Sequence, residues 1–282
     1  MKADLHNHSF LSDGVLSIKD IIYYSKKAGL DCISITDHDT LAGVIEAYTL
    51  CEKIGISVIP GVEISTVDYQ TNRSVHILCY FPKDFFKLQR FLNKILISRE
   101  NAKRQMAQML MKEYPITIEH IERYSSKSES MYETHIMQSL ADLGYTNVVI
   151  GDLYKELLSK KGKYYVQITY PSVYETLDMI KEVGGISVMA HPGQFDSNEL
   201  LEKLARKNLI QGVEYNHPKN SKEVKKQIKD IAQKFDLIMT GGTDFHGNYT
   251  TSPHPIGSFT CPEGEVERLI KLNHKINNFL GT

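Results

Sequence analysis

Over the first eighty residues, short apolar runs alternate with amphipathic stretches, the pattern of βα units packed around a parallel sheet. Residues 3–5 predict a short strand entering a loop. Residues 16–28 put Ile18, Ile21, Ile22 and Ser25 on one helical face and stop at Gly29. A buried strand follows at 32–36, then a helix over 41–54 with Asp39 or Thr40 as N-cap and Gly55 as its stop. Strands are predicted next at 56–59 and 74–81, the second carrying His76.

The texture changes at residue 83. Residues 84–112 form a long, highly charged helical stretch without βα alternation, followed by residues 116–121 and a Ser-rich turn at 125–130. Helical patterns resume at 134–143 and 152–158. Residues 83–167 thus predict a mainly helical insertion between two parts of one α/β domain, residues 1–82 and 168–282. Alternation then returns, with helices at 172–183, 198–207 and 221–235, strands at 186–190, 210–214 and 237–239, and a last helix at 265–277.

Composition narrows the class. A chain of 282 residues, 41% hydrophobic, can bury a substantial core. Its 33 Lys and Arg against 34 Asp and Glu leave no global field to draw in duplex DNA or a membrane surface. The start, with Asp4 and His6 where a signal peptide needs an apolar core, predicts a cytoplasmic protein. Cys32, Cys51, Cys79 and Cys261 are too scattered for a thiolate metal site or a disulfide framework, and read as buried or free thiols.

Polar residues recur where the predicted strands end. His6 and His8, separated by one residue after a strand, can aim both imidazoles at one ion. Asp13 lies in a Ser-Asp-Gly turn, and Asp37, His38 and Asp39 follow the strand at 32–36. Taken singly, each has a plainer reading: Asp39 caps a helix, His76 is a satisfied core histidine, and the segment Thr243-Asp244-Phe245-His246 is a Gly-rich turn with polar decoration. Jointly the picture reverses, because positions 6, 38, 63, 76, 191 and 244 each bring a nitrogen or oxygen ligand to a strand end. Such ends share one rim in a β/α barrel. Carboxylates and imidazoles without thiolates suit Mn, Fe or Zn, and roughly nine ligands suffice for two or three ions. Clustered divalent metals favour phosphoryl chemistry.

These motifs, Asp4 to Ser9, Thr36-Asp37-His38, Gly61-Val62-Glu63, Val75-His76, Ala190-His191-Pro192 and Thr243 to His246, resemble those of the PHP (polymerase and histidinol phosphatase) superfamily, in the family's order. The similarity is to its stand-alone phosphoesterases with a helical insertion, a group of nucleoside 3',5'-bisphosphate phosphatases and 5'-3' exoribonucleases. The resemblance implies a distorted (β/α)7 TIM-like barrel. It further implies that His6, His8, Glu63 and Asp244 hold one ion, that Glu63 shares a second with His76 and His191, and that Asp13, His38 and His246 hold a third. His217, in Gly212-Val213-Glu214-Tyr215-Asn216-His217, would contact phosphate or protonate the leaving group, with Asn216 beside it.

Where such relatives carry Gly-Arg-Pro-His in the insertion, this chain reads Tyr132-Glu133-Thr134-His135, so an acid replaces the arginine. His135 is retained as a substrate contact, and Arg99, Lys103, Arg104, Lys161 or Lys163 would supply positive charge, unless they are solvated helix residues. Asp37, grouped with His217 as catalytic, and Asp4 would orient ligand imidazoles. The expected activity is hydrolysis of a phosphomonoester or terminal phosphodiester of a nucleotide or short oligoribonucleotide. A small-metabolite phosphatase, such as one acting on histidinol phosphate, and a non-catalytic metal-stabilised module are the alternatives.

Overall fold

The computed structural model describes residues 1–280, with side chains through residue 276. Strands β1 (Ala3–Asp4), β2 (Cys32–Ile33) and β3 (Ser57–Val58) form a parallel sheet, connected by helices α1 (Ile18–Lys27) and α2 (Val44–Ile54). Helix α1 buries Ile18, Ile21, Ile22 and Ser25, as its periodicity predicts, and its N-cap Ser17 accepts the Asp20 N–H. Helix α2 starts three residues later than the sequence suggests, after Gly43 and without a side-chain cap. Asp39 is not its cap. Its backbone sits at φ 59° and its carboxylate serves an ion pair described below.

Beyond this point the all-parallel expectation gives way. Strand β4 (Gly61–Asp68) continues well past Glu63 and turns back into β5 (Arg73–Tyr80), an antiparallel hairpin with Glu63 opposite Leu78 and Ser65 opposite His76. The β-branched run Ile64, Thr66, Val67 and the turn formers Asp68 and Asn72 carry the signal for this hairpin. β5 also runs antiparallel to β6 (Ile186–Met189), which is followed in parallel by β7 (Gly212–Asn216) and β8 (Ile238–Gly241).

The two sheets meet at two seams through isolated bridges and a few backbone hydrogen bonds. Leu5 N donates to Gly241 O at 3.1 Å and Asn7 bridges Phe245; at the other edge His38 bridges Glu63, whose N–H donates to Thr36 O at 3.2 Å.

Strand alternation sorts side chains between two cores. Val62, Ile64, Val75, Ile77, Cys79 and Val213 pack outward, together with Leu177 and Ile180 of α7 (Val173–Glu182). Leu78, Tyr80, Ile186 and Val188 pack inward with Ala3 and Leu5. Each such buried Leu or Ile contributes roughly 1.5–3 kcal/mol. The same two-residue period turns Glu63, His76 and Glu214 to the inner side.

Four helices follow β5: α3 (Phe85–Leu110), α4 (Ile118–Ser125), α5 (Glu133–Asp142) and α6 (Asp152–Leu157). The first half of α3, through Leu88, Leu92 and Ile95, belongs to the outward core. Its second half, through Met106, Ala107 and Leu110, joins Ile121, Ile136 and Leu140 in a separate core. After β6 come a single turn α8 (Pro192–Phe195), then α9 (Asn198–Arg206), α10 (Lys222–Phe235) and α11 (Glu265–Leu280). Among the described residues no helix is long and apolar enough to cross a membrane.

Candidate metal centre

Loops after β1, β2, β6 and β8 deliver His6 and His8, His38, His191, and Asp244 and His246, while β4 and β5 supply Glu63 and His76. Because β5 is reversed, His76 reaches this rim from near the start of its strand rather than from its end. Gly242 permits a close approach to the first motif: a Cβ there would lie 2.2 Å from His6 Cβ. His191 at φ 25° and Asp244 at φ 53° hold positive-φ backbone, a cost that surrounding contacts must offset and that clusters at functional sites.

Glu63 is the hub. Its Oε1 lies 2.8 Å from both His76 Nδ1 and His191 Nε2, and its Oε2 lies 3.1 Å from His6 Nε2, 3.2 Å from His8 Nε2 and 3.3 Å from His38 Nδ1. Asp244 Oδ1 adds contacts of 3.1 Å to His8 Nε2 and 3.5 Å to His6 Nε2. On the far side, Asp13 Oδ1 lies 3.3 Å from His246 Nε2, and the His8 and His246 rings stack with centroids 4.0 Å apart. Ligand atoms of His8, Asp13, His38 and His246 all lie within 4.8 Å of one another, as do those of His6, His8, Glu63 and Asp244. The structure therefore brings together every residue that the sequence offers as a metal ligand.

Cations fit this donor set. His6 Nε2, His8 Nε2, His38 Nδ1 and Glu63 Oε2 are buried without a hydrogen bond, even though they crowd one small volume. Buried polar atoms left so are costly, and a bound cation would satisfy them together. Without one, the protons redistribute. Burial by itself would lower the His8 imidazole, but Asp244 and Glu63 raise it to about 10. Burial would raise the Glu63 carboxyl, yet the imidazoles of His6, His38 and His76 hold it well below the usual range. Cys32, Cys51, Cys79 and Cys261 are buried free thiols, and none joins a ligand cluster among the described residues.

Tautomers follow from the outer bonds. His6 Nδ1 lies 3.0 Å from Glu214 Oε1, which can only accept, so Nδ1 carries a proton and Nε2, turned to Glu63, is the atom that would ligate a cation. His246 Nδ1 likewise donates to Asp244 O at 2.9 Å. His217 is the reverse: its Nδ1 accepts the Lys219 N–H at 3.0 Å, which leaves a proton on Nε2, 3.3 Å from Asp244 Oδ2.

Other expected residues are placed differently. Asp37 and Asp4 do not orient imidazole rings. Asp37 accepts from Ser9 N, Ser9 Oγ and Ser12 Oγ, each at 2.7 Å, and so shapes the loop between His8 and Asp13. Asp4 accepts from Thr243 N and Oγ1, Gly257 N and Asn7 Nδ2, tying the β1 and β8 loops together. Asn216 is occupied by Thr260 O and Lys225 Nζ. His135 is buried, and its Nδ1 accepts the Tyr132 N–H.

The basic residues separate by environment. Arg99 and Lys103, which periodicity would leave solvated, are buried and paired, Arg99 with Asp39 and Lys103 with Glu133. Arg104 pairs with Glu100 and Glu122, Lys163 pairs with Glu113, and Lys161 is exposed. Glu214 escaped the sequence reading, although strand alternation signals it: with Val213 outward, the next residue must point in.

A rim of imidazoles and carboxylates around a bridging glutamate, on a mixed α/β fold, defines a metal-dependent phosphoester hydrolase. The chain belongs to the PHP domain family, whose model matches residues 4–277. It is 30% identical over 256 residues to a phosphoribosyl 1,2-cyclic phosphate 1,2-diphosphodiesterase of Eggerthella lenta, covering 90% of this chain and 97% of that protein. Identity is 28% over 253 residues to a 5'-3' exoribonuclease of Haemophilus influenzae, covering 87% and 90%. It is also 28% over 250 residues to a 3',5'-nucleoside bisphosphate phosphatase of Chromobacterium violaceum, covering 86% of each. A solved structure from Bifidobacterium adolescentis, described as a metal-dependent phosphoesterase, superposes with a TM-score of 0.88 at 28% identity over 96% of both chains.

Proposed function

We propose that this hydrolase cleaves a phosphomonoester or terminal phosphodiester of a nucleotide, such as a nucleoside 3',5'-bisphosphate, or of a short oligoribonucleotide, using two or three divalent ions of Mn, Fe or Zn. The observation that carries the reading is Glu63, whose two oxygens face two different sets of imidazoles. On this reading His6, His8, Glu63 and Asp244 hold one ion, Glu63, His76 and His191 a second, and Asp13, His38 and His246 a third. Ions bound there would supply Lewis acidity toward phosphoryl oxygens and lower the pKa of an attacking water.

The protein's own groups do the remainder. His217, with its proton on Nε2 and no hydrogen bond holding it, donates to a phosphoryl or leaving oxygen. Glu214 keeps His6 Nε2 turned inward. The two edge seams support reading the sheets as a distorted (β/α)7 barrel in which β3 and β4 act as one bent strand. Residues 83–167 act as a substrate cap, a role that their separate core supports. Four free thiols fit a cytoplasmic setting.

Purified protein with added Mn2+ should release phosphate from a nucleoside 3',5'-bisphosphate, and His38→Ala or Asp244→Ala should largely abolish release. Undiminished activity in both variants would overturn the assigned site. The similarity to the Eggerthella lenta enzyme favours a second reading, a phosphoribosyl cyclic phosphodiester as substrate, which belongs in the same assay.

A further inference from the structure

Beside the imidazole rim lies a cleft of about 570 Å3, between the β4–β5 hairpin, α3, the α5–α6 region and α8. Phe195 is the wall common to both: its ring is 4.9 Å from that of His76 and 5.5 Å from that of His191, and it lines the cleft. The cleft therefore lies within one ring's width of those imidazoles.

Three properties define what the cleft accepts. Tyr154, Tyr165 and Tyr170 join Phe195 in lining it, and all four residues are half-buried, so aromatic surface borders the cleft. Of the three cations that line the cleft, Lys103 is wholly buried and paired with Glu133 Oε1 at 2.5 Å, Arg73 is paired with Asp196, and Lys160 Nζ donates to a neutral acceptor, Asn72 O. The Glu133 side chain, by contrast, is 24% exposed and lines the cleft, presenting a carboxylate that only accepts hydrogen bonds. Flat and bearing N–H donors describes a nucleobase. A volume of this size also lies within the range of small-ligand sites.

We propose that the cleft seats the nucleobase of the substrate, stacked among these tyrosines with N–H donors turned to Glu133, while the scissile phosphate lies at the imidazole rim. This rests on the nucleotide reading above, and it ranks that reading over a base-free phosphoribosyl substrate.

The test separates the two. Calorimetric titration of metal-free protein with a nucleoside 5'-monophosphate and with ribose 5-phosphate should give at least tenfold tighter binding of the nucleotide, the scale of one base–aromatic stack. With Mn2+ added, kcat/KM for a nucleoside bisphosphate over that for a base-free ribose bisphosphate should exceed one, and should fall about tenfold in Tyr165→Ala. If that variant does not fold, Tyr154→Ala serves the same purpose. Equal binding of the two ligands, or an unchanged ratio in a folded variant, overturns the proposal. Base-dependent binding without hydrolysis of any bisphosphate would leave the cleft assignment standing and count against the proposed reaction.

Discussion

The imidazole rim and the helical insertion both bury charged side chains, and they treat them in opposite ways. In the rim, His6, His8, His38 and Glu63 crowd together with buried atoms that no hydrogen bond satisfies. In and around the insertion, each buried cation is paired with a carboxylate, although Arg99 Nε makes no hydrogen bond. Arg99 Nη2 donates to Asp39 Oδ2 and to Ser65 Oγ, its guanidinium lies 4.6 Å from the Tyr132 ring, and Lys103 meets Glu133. Unmet buried charge is tolerated where a ligand will complete it; matched buried charge holds a shape. The second kind here serves the first. Asp39 N donates to Glu63 O, and Tyr132 Oη donates to His38 O at 3.0 Å, so the insertion braces the loop and strand that carry two candidate ligands.

Removing the hub should give the largest effect. Glu63→Gln keeps the volume but halves the charge available to two ion sets, so hydrolysis should fall by about a thousandfold or more, in the range seen when electrostatic stabilisation is lost at a reacting centre. Bound metal per chain, read by mass spectrometry, should fall with it. Full metal content with full activity would show that Glu63 is no bridge.

Arg99→Met tests the matched side of the comparison. Breaking a buried pair strands Asp39 without its partner, at a cost of about 3–5 kcal/mol, visible in urea unfolding. Asp39→Leu in the same chain should recover part of that loss, because no lone charge remains. If Arg99→Met unfolds like the parent protein, the pair is not a brace and Arg99 is freer to meet substrate than its burial implies.

The same contrast explains what the sequence could disclose. The rim was legible because its ligands sit in short local motifs next to apolar strands, as with His6 and His8 or Asp244 and His246, and because a strand end announces itself by pattern. Asp39 was misread because helix capping is the commonest local use of an acid before a helix, whereas its partner Arg99 lies sixty residues away. Pairings of that kind leave no local trace. Lys103 was misread for the same reason, since periodicity on α3 does not reveal a second core above the first. The β4–β5 hairpin has no counterpart in the sequence reading, which passes from a strand at 56–59 to one at 74–81, although Glu214 is accessible in principle from the alternation of β7.

A smaller effect separates burial from substrate contact at His135. Burial, its chief influence, lowers this imidazole to about 4, and the Tyr132 N–H bond to Nδ1 favours the neutral form. The unfolded chain takes up a proton near the ordinary histidine value of about 6.5, and the folded protein does not until about pH 4. The stability contribution is thus whole above pH 6.5 and is lost as pH falls toward 4, by up to about 3 kcal/mol. Urea midpoints at pH 7.5 and 5.0 should diverge less in His135→Gln than in the parent protein. Parallel pH dependence in the two would mean that His135 is solvated and free to serve as a substrate contact.

The smallest prediction concerns a helix outside both regions. Ser172 caps α7 by accepting the Glu175 N–H at 3.1 Å, while Glu175 returns a bond to the Ser172 N–H at 2.7 Å. Ser172→Ala should cost about 1 kcal/mol, roughly 2–4 °C in melting temperature for a domain of this order of size. Asp39→Ala, by contrast, leaves Arg99 buried and unpaired and should cost several times as much. Equal costs for the two substitutions would return Asp39 to the role of an ordinary cap and erase the distinction between charge that is matched and charge that waits for a ligand.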